Sequence, residues 1–416
     1  MNLTNSTIPQ WWVPESDSTA IGLSLFAMVA WGSWANLLKL NSGVTRFEFF
    51  FLDYQLGAFL VSLLLTLLLG TGGFSEGLSV GRFFAAVVAG IVNTLGTLLV
   101  MASVELSGMT VVFPVVVGIE MIIGTTFLWL IERKESPGLL FTGVACAMAA
   151  VSFDYLSHQE PMEDDGLGGT ATRRRRSENN SMSYTTLVVS DGDFSPDLSE
   201  LSRPYSFSAS SSSGTRGRRA SGGLGTAGRF SCCVTVFDGM AAKSRGLMLC
   251  VVAAVFFSLW PVLDALSLKN NESGPTVSAS PYAFFLIFRI AALAFTWCIS
   301  QWMGQLGKRD GDEGGASDMS VTFSNYLYEI PRKSRCLGVT AGFVWGCGTL
   351  FSLISGEVVG LGVSVTMTRC SPLVATFWGV VMWNETEGMT ARAKLYLIGM
   401  VMSYCFAIMF IALAAP

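Results

Sequence analysis

The sequence predicts an all-α polytopic membrane protein, with ten transmembrane helices as two inverted five-helix repeats and a long disordered central loop. Three observations lead to this fold class. Only 13% of the 416 residues are charged, whereas an ordinary globular domain carries about 25%. Hydrophobic residues make up 51% of the chain, and the mean hydropathy is +0.52. The apolar residues fall into long runs on both sides of a polar interruption, and segments of the two sides resemble each other.

Each predicted span contains about the 20 mostly apolar residues that a bilayer requires. The spans lie at about 20–38, 47–69, 82–101, 109–131, 138–155, 245–266, 282–303, 336–355, 358–382 and 394–414. The domain boundaries follow from them. An extracytosolic segment at 1–19 precedes the first half at 20–155, and a disordered cytosolic loop at 156–244 precedes the second half at 245–416.

The central segment 156–244 is polar and of low complexity, with RRRR at 173–176 and SASSSSG at 208–214. Such composition cannot build a packed core, so the segment is predicted to be disordered. Ser177 and Ser221 each follow basic residues and are phosphorylation candidates, which makes a kinase a candidate partner. The alternative is a solvated tether without regulation.

The placement of lysine and arginine predicts the orientation. With the N-terminus outside, most basic residues near the span ends face the cytosol. The glycosylation sequons at Asn2, Asn5 and Asn271 then face outside, where the modification occurs. The N-terminus lacks the basic start of a cleavable signal peptide, so the first run is predicted to be a retained span. We favour the plasma membrane, with an internal membrane as the alternative.

Two segments align without a gap, namely AGIVNTLGTLLVMASVELSG at 89–108 and AGFVWGCGTLFSLISGEVVG at 341–360. The third span therefore corresponds to the eighth, and the fourth to the ninth. Five spans per half is an odd number, so the two halves must insert with opposite orientations. Inverted-topology repeats are typical of secondary transporters, whose binding site lies near the middle of the membrane between the halves.

Four ionisable residues fall inside predicted spans, where they are functional candidates by default: Asp53, Glu120, Arg289 and Arg369. Glu120 and Arg369 stand on equivalent helices about one turn apart, so they can meet across a central cavity. Asp53 and Arg289 form a second balanced set. Either set binds substrate or a coupling proton, or serves only to fix the helices in register. Asp264 lies near a span end and is predicted to be a boundary group.

Tryptophans are the second group of candidates, namely Trp34, Trp260, Trp345 and Trp378. Interfacial anchoring is the ordinary role of a membrane tryptophan. However, Trp34 lies close to Gly32 and Trp260 adjoins Pro261, where a span can break and expose backbone groups to a cavity. Aromatic rings there can stack on a flat polar solute.

Composition and motifs argue against other classes of protein. The only histidine is His158 at the start of the central loop, and neither a metal-ligand cluster nor a nucleophile–base motif is present in the sequence. No CxxC occurs among the nine cysteines. We therefore expect no enzyme activity, no catalytic residues, no metal and no cofactor. Nucleic-acid binding is disfavoured because the only strongly basic tract is short.

Several segments resemble the plant ureide permeases, within the drug/metabolite transporter superfamily. They include MIIGTTFLWLIERKE, VTAGFVWGCGTLFSL and SPLVATFWGVVMWNETEG. The resemblance implies ten helices in two inverted halves and transport of allantoin, uracil or similar heterocycles, generally with protons. Glu120 and Arg369 depart from the family pattern, which has small or apolar residues there.

The sequence thus predicts a secondary transporter of a small polar metabolite, a ureide or nucleobase, working by proton symport and alternating access. Its expected partners are the lipid bilayer, the solute and protons. Two alternatives remain open. One is a sugar or nucleotide-sugar transporter of the same superfamily, and the other is a non-transporting sensor regulated through the central loop.

Overall fold

The computed structural model describes residues 11–41, 47–70, 78–107, 109–160, 242–268, 280–306, 326, 328, 330–384 and 386–416. Regular secondary structure in these ranges is helical. The helices are α1 (Asp17–Asn41), α2 (Phe47–Leu69), α3 (Val80–Ser107), α4 (Met109–Glu132), α5 (Pro137–Gln159), α6 (Ala242–Leu268), α7 (Pro281–Leu306), α8 (Arg332–Val359), α9 (Leu361–Thr368), α10 (Pro372–Trp383) and α11 (Ala391–Leu413).

Within the described ranges, nine helices are long and apolar enough to cross a membrane. They are α1 to α8 and α11, and they carry large apolar side chains on their outer surfaces, for example Leu68 (65% exposed) and Leu395 (66% exposed). An apolar outer surface of this kind fits contact with lipid. The candidate sites at Asn2, Asn5, Asn271, Ser177 and Ser221 lie outside the described residues and stay predictions.

The ninth predicted span is not the continuous helix expected at 358–382. Gly360, with φ +87°, separates α8 from the 8-residue helix α9, and a tight turn at 369–371 separates α9 from the 12-residue helix α10. In this turn the amides of Cys370 and Ser371 bond to carbonyls three residues back. Pro372 lacks an N–H group and cannot continue the regular ladder, which accounts for the break.

The breaks expected at Gly32 and Pro261 do not occur, because α1 and α6 run through these residues without interruption. Gly32 serves close packing instead. A Cβ atom there would lie 2.6 Å from the carbonyl oxygen of Ser371, so α10 begins directly against α1. Pro261 is accommodated within α6, as proline commonly is in membrane helices, where neighbouring groups satisfy the freed carbonyl.

The helices of the two halves contact each other in matched pairs. The contact of α1 with α8 has its counterpart in α6 with α3, and α2 with α8 matches α7 with α3. The contact of α4 with α6 likewise matches those of α9 and α10 with α1. Three further contacts join corresponding helices directly, namely α2 with α7, α4 with α9, and α5 with α11. Most of the packing is therefore preserved when the halves are exchanged.

The bundle has two ends, which we name after a residue at each. At the Glu135 face, the amide of Gly362 donates to Oε1 of Glu135 (3.1 Å), and the amide of Ser136 donates to the carbonyl of Ala414 (3.1 Å). The starts of α5 and α9 and the end of α11 therefore meet there. Glu135 lies outside the spans, and burial raises the pKa of its carboxyl, partly offset by backbone N–H donors.

At the opposite end, the Arg335 face, the end of α1 meets the start of α8. The hydroxyl of Ser334 donates to Oδ1 of Asn41 (2.5 Å), and Nη2 of Arg335 donates to the carbonyl of Tyr326 (2.6 Å). These contacts show that the end of α1 and the start of α8 lie together at this face.

Candidate functional site

A cavity of about 160 Å³ lies between the two halves, and we call it the central cavity. Its lining comes from α1, α2, α3, α4, α6 and α8 and is mostly aromatic. The lining residues are Trp31, Trp34, Phe50, Phe51, Tyr54, Asn93, Thr97, Val100, Val116, Val117, Glu120, Phe257, Trp260 and Trp345. Solute sites in proteins commonly have this character, with apolar walls and a few polar groups that fix orientation.

Stacked aromatic rings build one wall of the central cavity. Trp31 and Trp345 lie nearly parallel, with 5.6 Å between ring centroids and 9° between planes. The indole N–H of Trp31 donates to Oγ1 of Thr349 (3.2 Å), which fixes the orientation of its ring. Tyr54 contacts both Trp345 (6.0 Å) and Trp34 (5.2 Å). The wall is thus a preformed surface on which a flat solute can stack.

Glu120 lines the central cavity, and Arg369, which is not itself among the lining residues, pairs with it. Nε of Arg369 donates to Oε1 of Glu120 at 3.1 Å, and both side chains are buried. Gly124, one turn after Glu120, provides the space, since a Cβ atom there would lie 2.6 Å from Nη1 of Arg369. Neither Nη1 nor Nη2 of Arg369 has a hydrogen-bond partner among the described residues. Two donors of the guanidinium group therefore remain for another ligand.

The turn after α9 is what places Arg369 there. Arg369 is the first residue after α9. Near this end, α9 is attached to α4 by a hydrogen bond of 2.7 Å between the hydroxyls of Thr366 and Thr125. Glu120 lies in the middle of α4 and projects toward this turn. The ion pair thus bridges corresponding elements of the two halves.

Asp53 and Arg289, expected as a second set, are not paired with each other in the structure. Asp53 accepts a hydrogen bond from the hydroxyl of Tyr326 (2.5 Å) and lies 4.0 Å from Nε of Arg335. These contacts place Asp53 toward the Arg335 face, away from the central cavity. Tyr326 lies outside the spans, and burial raises the pKa of its hydroxyl, with a further increase from the hydrogen bond to Asp53.

Arg289 instead lies behind the aromatic wall. Its Nη1 donates to Oε1 of Gln55 (3.2 Å), and the guanidinium carbon is 4.2 Å from the centroid of Trp345 and 4.3 Å from that of Phe288. A guanidinium group stacked on an aromatic face is a favourable cation–π arrangement. Arg289 therefore supports the position of Trp345, which lines the cavity.

Three of the four predicted tryptophans, Trp34, Trp260 and Trp345, line the central cavity. Trp378 does not. It lies in a separate apolar groove on the outer side of α10, and its indole N–H donates to Oγ of Ser33 (2.9 Å).

Sequence reasoning missed the polar side chains that α3 contributes to the cavity. Asn93 and Thr97 line it and stand one helical turn apart. Two polar residues at this spacing within an apolar span place polar groups on one helix face, and this signal was available in the sequence.

Asp264, predicted to be a boundary group near a span end, lies about one turn before the end of α6 and is buried (1% exposed). α6 continues past it to Leu268, and Ser267 packs onto the start of α3 through a hydroxyl hydrogen bond to the carbonyl of Arg82 (3.3 Å).

Nine apolar helices among the residues that the structure describes, each long enough to cross a membrane, together with the family match that follows, define an integral, multi-pass membrane protein of the transporter class. The family model for ureide permeases matches residues 50–415. The chain therefore belongs to the ureide permease family, whose members are transporters and not enzymes.

Similar proteins of Arabidopsis thaliana cover nearly the whole chain. Ureide permease 1 is 24% identical over 95% of this chain and 96% of its own length. Ureide permease 4 is 23% identical over 95% of this chain and 97% of its own length. Ureide permease 2 is 22% identical, with 96% of each chain covered.

Proposed function

We propose that the protein is a secondary transporter of ureides or nucleobases, such as allantoin and uracil, and that its substrate binds in the central cavity. The observation that carries the proposal is the parallel pair Trp31–Trp345 beside the Glu120–Arg369 pair. A ureide is a small polar molecule with amide-like N–H donors and carbonyl acceptors. Aromatic faces can hold a planar part of it, while charged groups at the edge bond to its polar atoms.

The polar groups at the cavity edge match this chemistry. Glu120, which lines the cavity, can accept from a ring N–H. The unpartnered Nη1 and Nη2 of its partner Arg369 can donate to a carbonyl that reaches past Glu120. Asn93 can donate and accept at the opposite wall. The cavity volume of about 160 Å³ is that of a small ring, because a cavity of about 150 Å³ in another protein admits benzene.

Transport by alternating access requires two halves that can move relative to each other. We infer that the halves are inverted repeats and that α9 and α10 together form a tenth crossing. The matched helix contacts support the first inference. The length of 361–383, close to the roughly 20 residues that a span requires, supports the second. The cavity would then open alternately to the two membrane faces.

The experiment that tests the function is uptake of labelled allantoin and uracil into proteoliposomes, with and without an inward proton gradient. We expect saturable uptake of at least one solute and accumulation when the gradient is applied. Hexose competition without uracil competition would instead favour a sugar transporter. Binding without flux would favour a sensor.

A matched pair of tryptophan variants locates the site. Trp345→Ala removes the ring against which Trp31 stacks and so loosens the cavity wall. It is expected to lower uptake more than about tenfold, because stacking of a solute on an ordered aromatic ring contributes about 1–3 kcal/mol. Trp378→Ala, in the outer groove, is expected to leave uptake within about twofold. Equal effects of the two variants would place substrate binding elsewhere.

A further inference from the structure

Asp264 on α6 differs from the other carboxylates of the spans in its surroundings. It is 1% exposed, and neither of its oxygens has a hydrogen-bond partner among the described residues. Glu120, by contrast, accepts a hydrogen bond from Arg369, and Asp53 accepts one from Tyr326. The two carboxylates that the sequence favoured for proton coupling are therefore already bonded, and Asp264 is not.

Arg289 supplies the complementary group. Its Nε and Nη2 atoms are buried without partners in the described part of the chain. The helices that carry the two groups meet near them, because the ring centroids of Trp260, one turn before Asp264, and Phe288, next to Arg289, lie 5.8 Å apart. Neither a hydrogen bond nor an ion pair joins the two side chains. Burying a charge is costly unless it is paired and hydrogen-bonded, so two such groups on contacting helices require an explanation. A buried carboxyl can meet this requirement by binding a proton or by pairing with a cation.

We propose that Asp264 is the site that takes up the coupling proton, an inference that rests on the proposed transport function. A proton from water adds to one carboxylate oxygen and forms an O–H bond, and no other bond changes. Release of the proton to water on the other side restores the carboxylate. The ionised carboxylate then pairs with the free N–H donors of Arg289. Asp264 thus alternates between a neutral state and an ion-paired state as the halves move.

Asp264 lies close to the central cavity. It follows Trp260 by one turn on the same face of α6, and Trp260 lines the cavity. A proton can reach Asp264 from the cavity on one side and from the end of α6 at Leu268 on the other. The proton site therefore lies between the cavity and the end of the helix.

The neighbouring helices carry other charged groups. On α7, Arg289 has the unpartnered donors described above. On α4, Glu120 is bound to Arg369, and on α3, Arg82 stands at the start of the helix, where its carbonyl accepts from Ser267. A metal cation fits the site poorly, because Arg289 would repel it. The described residues also contain no cluster of three or more acidic, histidine or cysteine ligands.

The test separates coupling from substrate movement in proteoliposomes. Asp264→Asn is compared with the unmodified protein in two assays, exchange of labelled for unlabelled substrate without a gradient and accumulation driven by a proton gradient. We expect exchange within about twofold of the unmodified protein and a loss of driven accumulation of more than about tenfold, as for removal of a coupling carboxylate. Asp154→Asn, an acidic residue near a span end, is the control and should preserve both activities.

The outcomes distinguish this inference from the proposed function. If the unmodified protein exchanges neither allantoin nor uracil, the proposed function fails. If Asp264→Asn accumulates substrate as the unmodified protein does, the inference is wrong and the function stands. Loss of exchange in a variant with an unchanged melting temperature also overturns the inference, because Asp264 would then serve substrate binding.

A second variant covers the case in which Asp264→Asn does not fold. The asparagine amide brings buried donors that need partners, whereas Asp264→Ala removes the carboxyl without adding any. The same two assays are applied to this variant, with the same expected results. A sodium gradient in place of the proton gradient is the final comparison, and accumulation driven by sodium alone would contradict a proton site.

Discussion

At the scale of single residues, the Glu120–Arg369 pair is both a possible binding element and a structural contact. Removing one member of a buried ion pair leaves an uncompensated charge and costs about 3–5 kcal/mol. We therefore expect Arg369→Ala to lower the melting temperature and abolish uptake, because Glu120 then stands unpaired at the cavity edge. Thermal unfolding in detergent and proteoliposome uptake measure the two effects separately.

A double variant decides between the two roles of this pair. Glu120→Gln/Arg369→Gln has no charge to compensate, so it should regain most of the stability that Arg369→Ala loses. If the pair binds substrate, uptake stays low in the double variant despite the restored melting temperature. Restored uptake would show that the pair only fixes the helices in register. Normal uptake by a stable Arg369→Ala variant would remove Arg369 from the site.

The sequence identified the buried charges but not most of their partners. A charged residue within an apolar run can be recognised directly in the sequence, and this is how Glu120 and Arg369 are predicted to be buried charges. The partner depends on how each helix is rotated about its axis and on residues outside the spans. Asp53 therefore bonds to Tyr326, and Arg289 stacks on Trp345, neither of which the spacing of residues predicts.

At the scale of elements, glycine determines how closely α2 and α8 approach. A Cβ atom on Gly57 would overlap the carbonyl of Val339, and one on Gly342 would overlap the carbonyl of Tyr54. Small residues at such interfaces allow membrane helices to pack backbone to backbone.

We expect Gly57→Ala to destabilise the protein by about 1–3 kcal/mol, because the overlap with Val339 pushes the two helices apart. Gly22 on α1 is the control, since nothing lies within 4 Å of a Cβ atom there. Gly22→Ala should be neutral or stabilising by up to about 1 kcal/mol through helix propensity. Melting temperatures in detergent compare the two, and equal values would contradict the close α2–α8 contact.

Gly360 allows the chain to turn between α8 and α9. It adopts φ +87°, and a Cβ atom there would collide with the carboxylate of Glu135, which caps α9 through the amide of Gly362. Gly360→Ala should therefore cost more stability than Gly388→Ala. Gly388 has φ +77° but open space around it, so the control carries only the backbone strain, of order 1–3 kcal/mol. Equal losses of melting temperature in the two variants would mean that Glu135 does not restrict this position.

The long apolar runs predicted the existence of the helices well, but not their breaks. Pro261 and Gly32 were expected to interrupt α6 and α1, and Pro372 was placed inside a continuous helix. The structure has the opposite arrangement. A proline can be accommodated or can end a helix depending on whether neighbours satisfy the freed carbonyl, and this depends on tertiary packing that a local pattern does not contain.

At the scale of the whole molecule, the start of α1 and the end of α11 lie at the same end of the bundle. The carbonyl of Ala20 near the start of α1 accepts from the hydroxyl of Ser355 (2.6 Å), close to where α8 ends and α9 begins. The carbonyl of Ala414 after α11 accepts from the amide of Ser136 at the same Glu135 face. An even number of crossings fits this arrangement, which supports our proposal that α9 and α10 together form a tenth crossing.

Basic residues favour the orientation of this bundle. The Arg335 face carries Lys39, Arg332, Lys333, Arg335, Arg392 and Lys394 at the ends of α1, α8 and α11. Among the described residues the Glu135 face has fewer, with Arg82 at the start of α3 and Arg133 and Lys134 in the loop between α4 and α5. Since basic residues concentrate on the cytosolic side, the Arg335 face is expected to be cytosolic. The central segment that joins α5 to α6 leaves from this same face.

Epitope tags test the crossing number and the orientation together. Tags are added at the two chain ends and, as the matched control, inside the segment 161–241, and antibody binding is measured in intact and permeabilised cells. We expect both terminal tags to be accessible in intact cells and the central tag only after permeabilisation. Terminal tags on opposite sides would show that α9 and α10 do not cross. If both terminal tags lie inside and the central tag lies outside, the number of crossings stays even but the orientation is reversed. The Glu135 face would then be cytosolic, and the Arg335 face would lie outside.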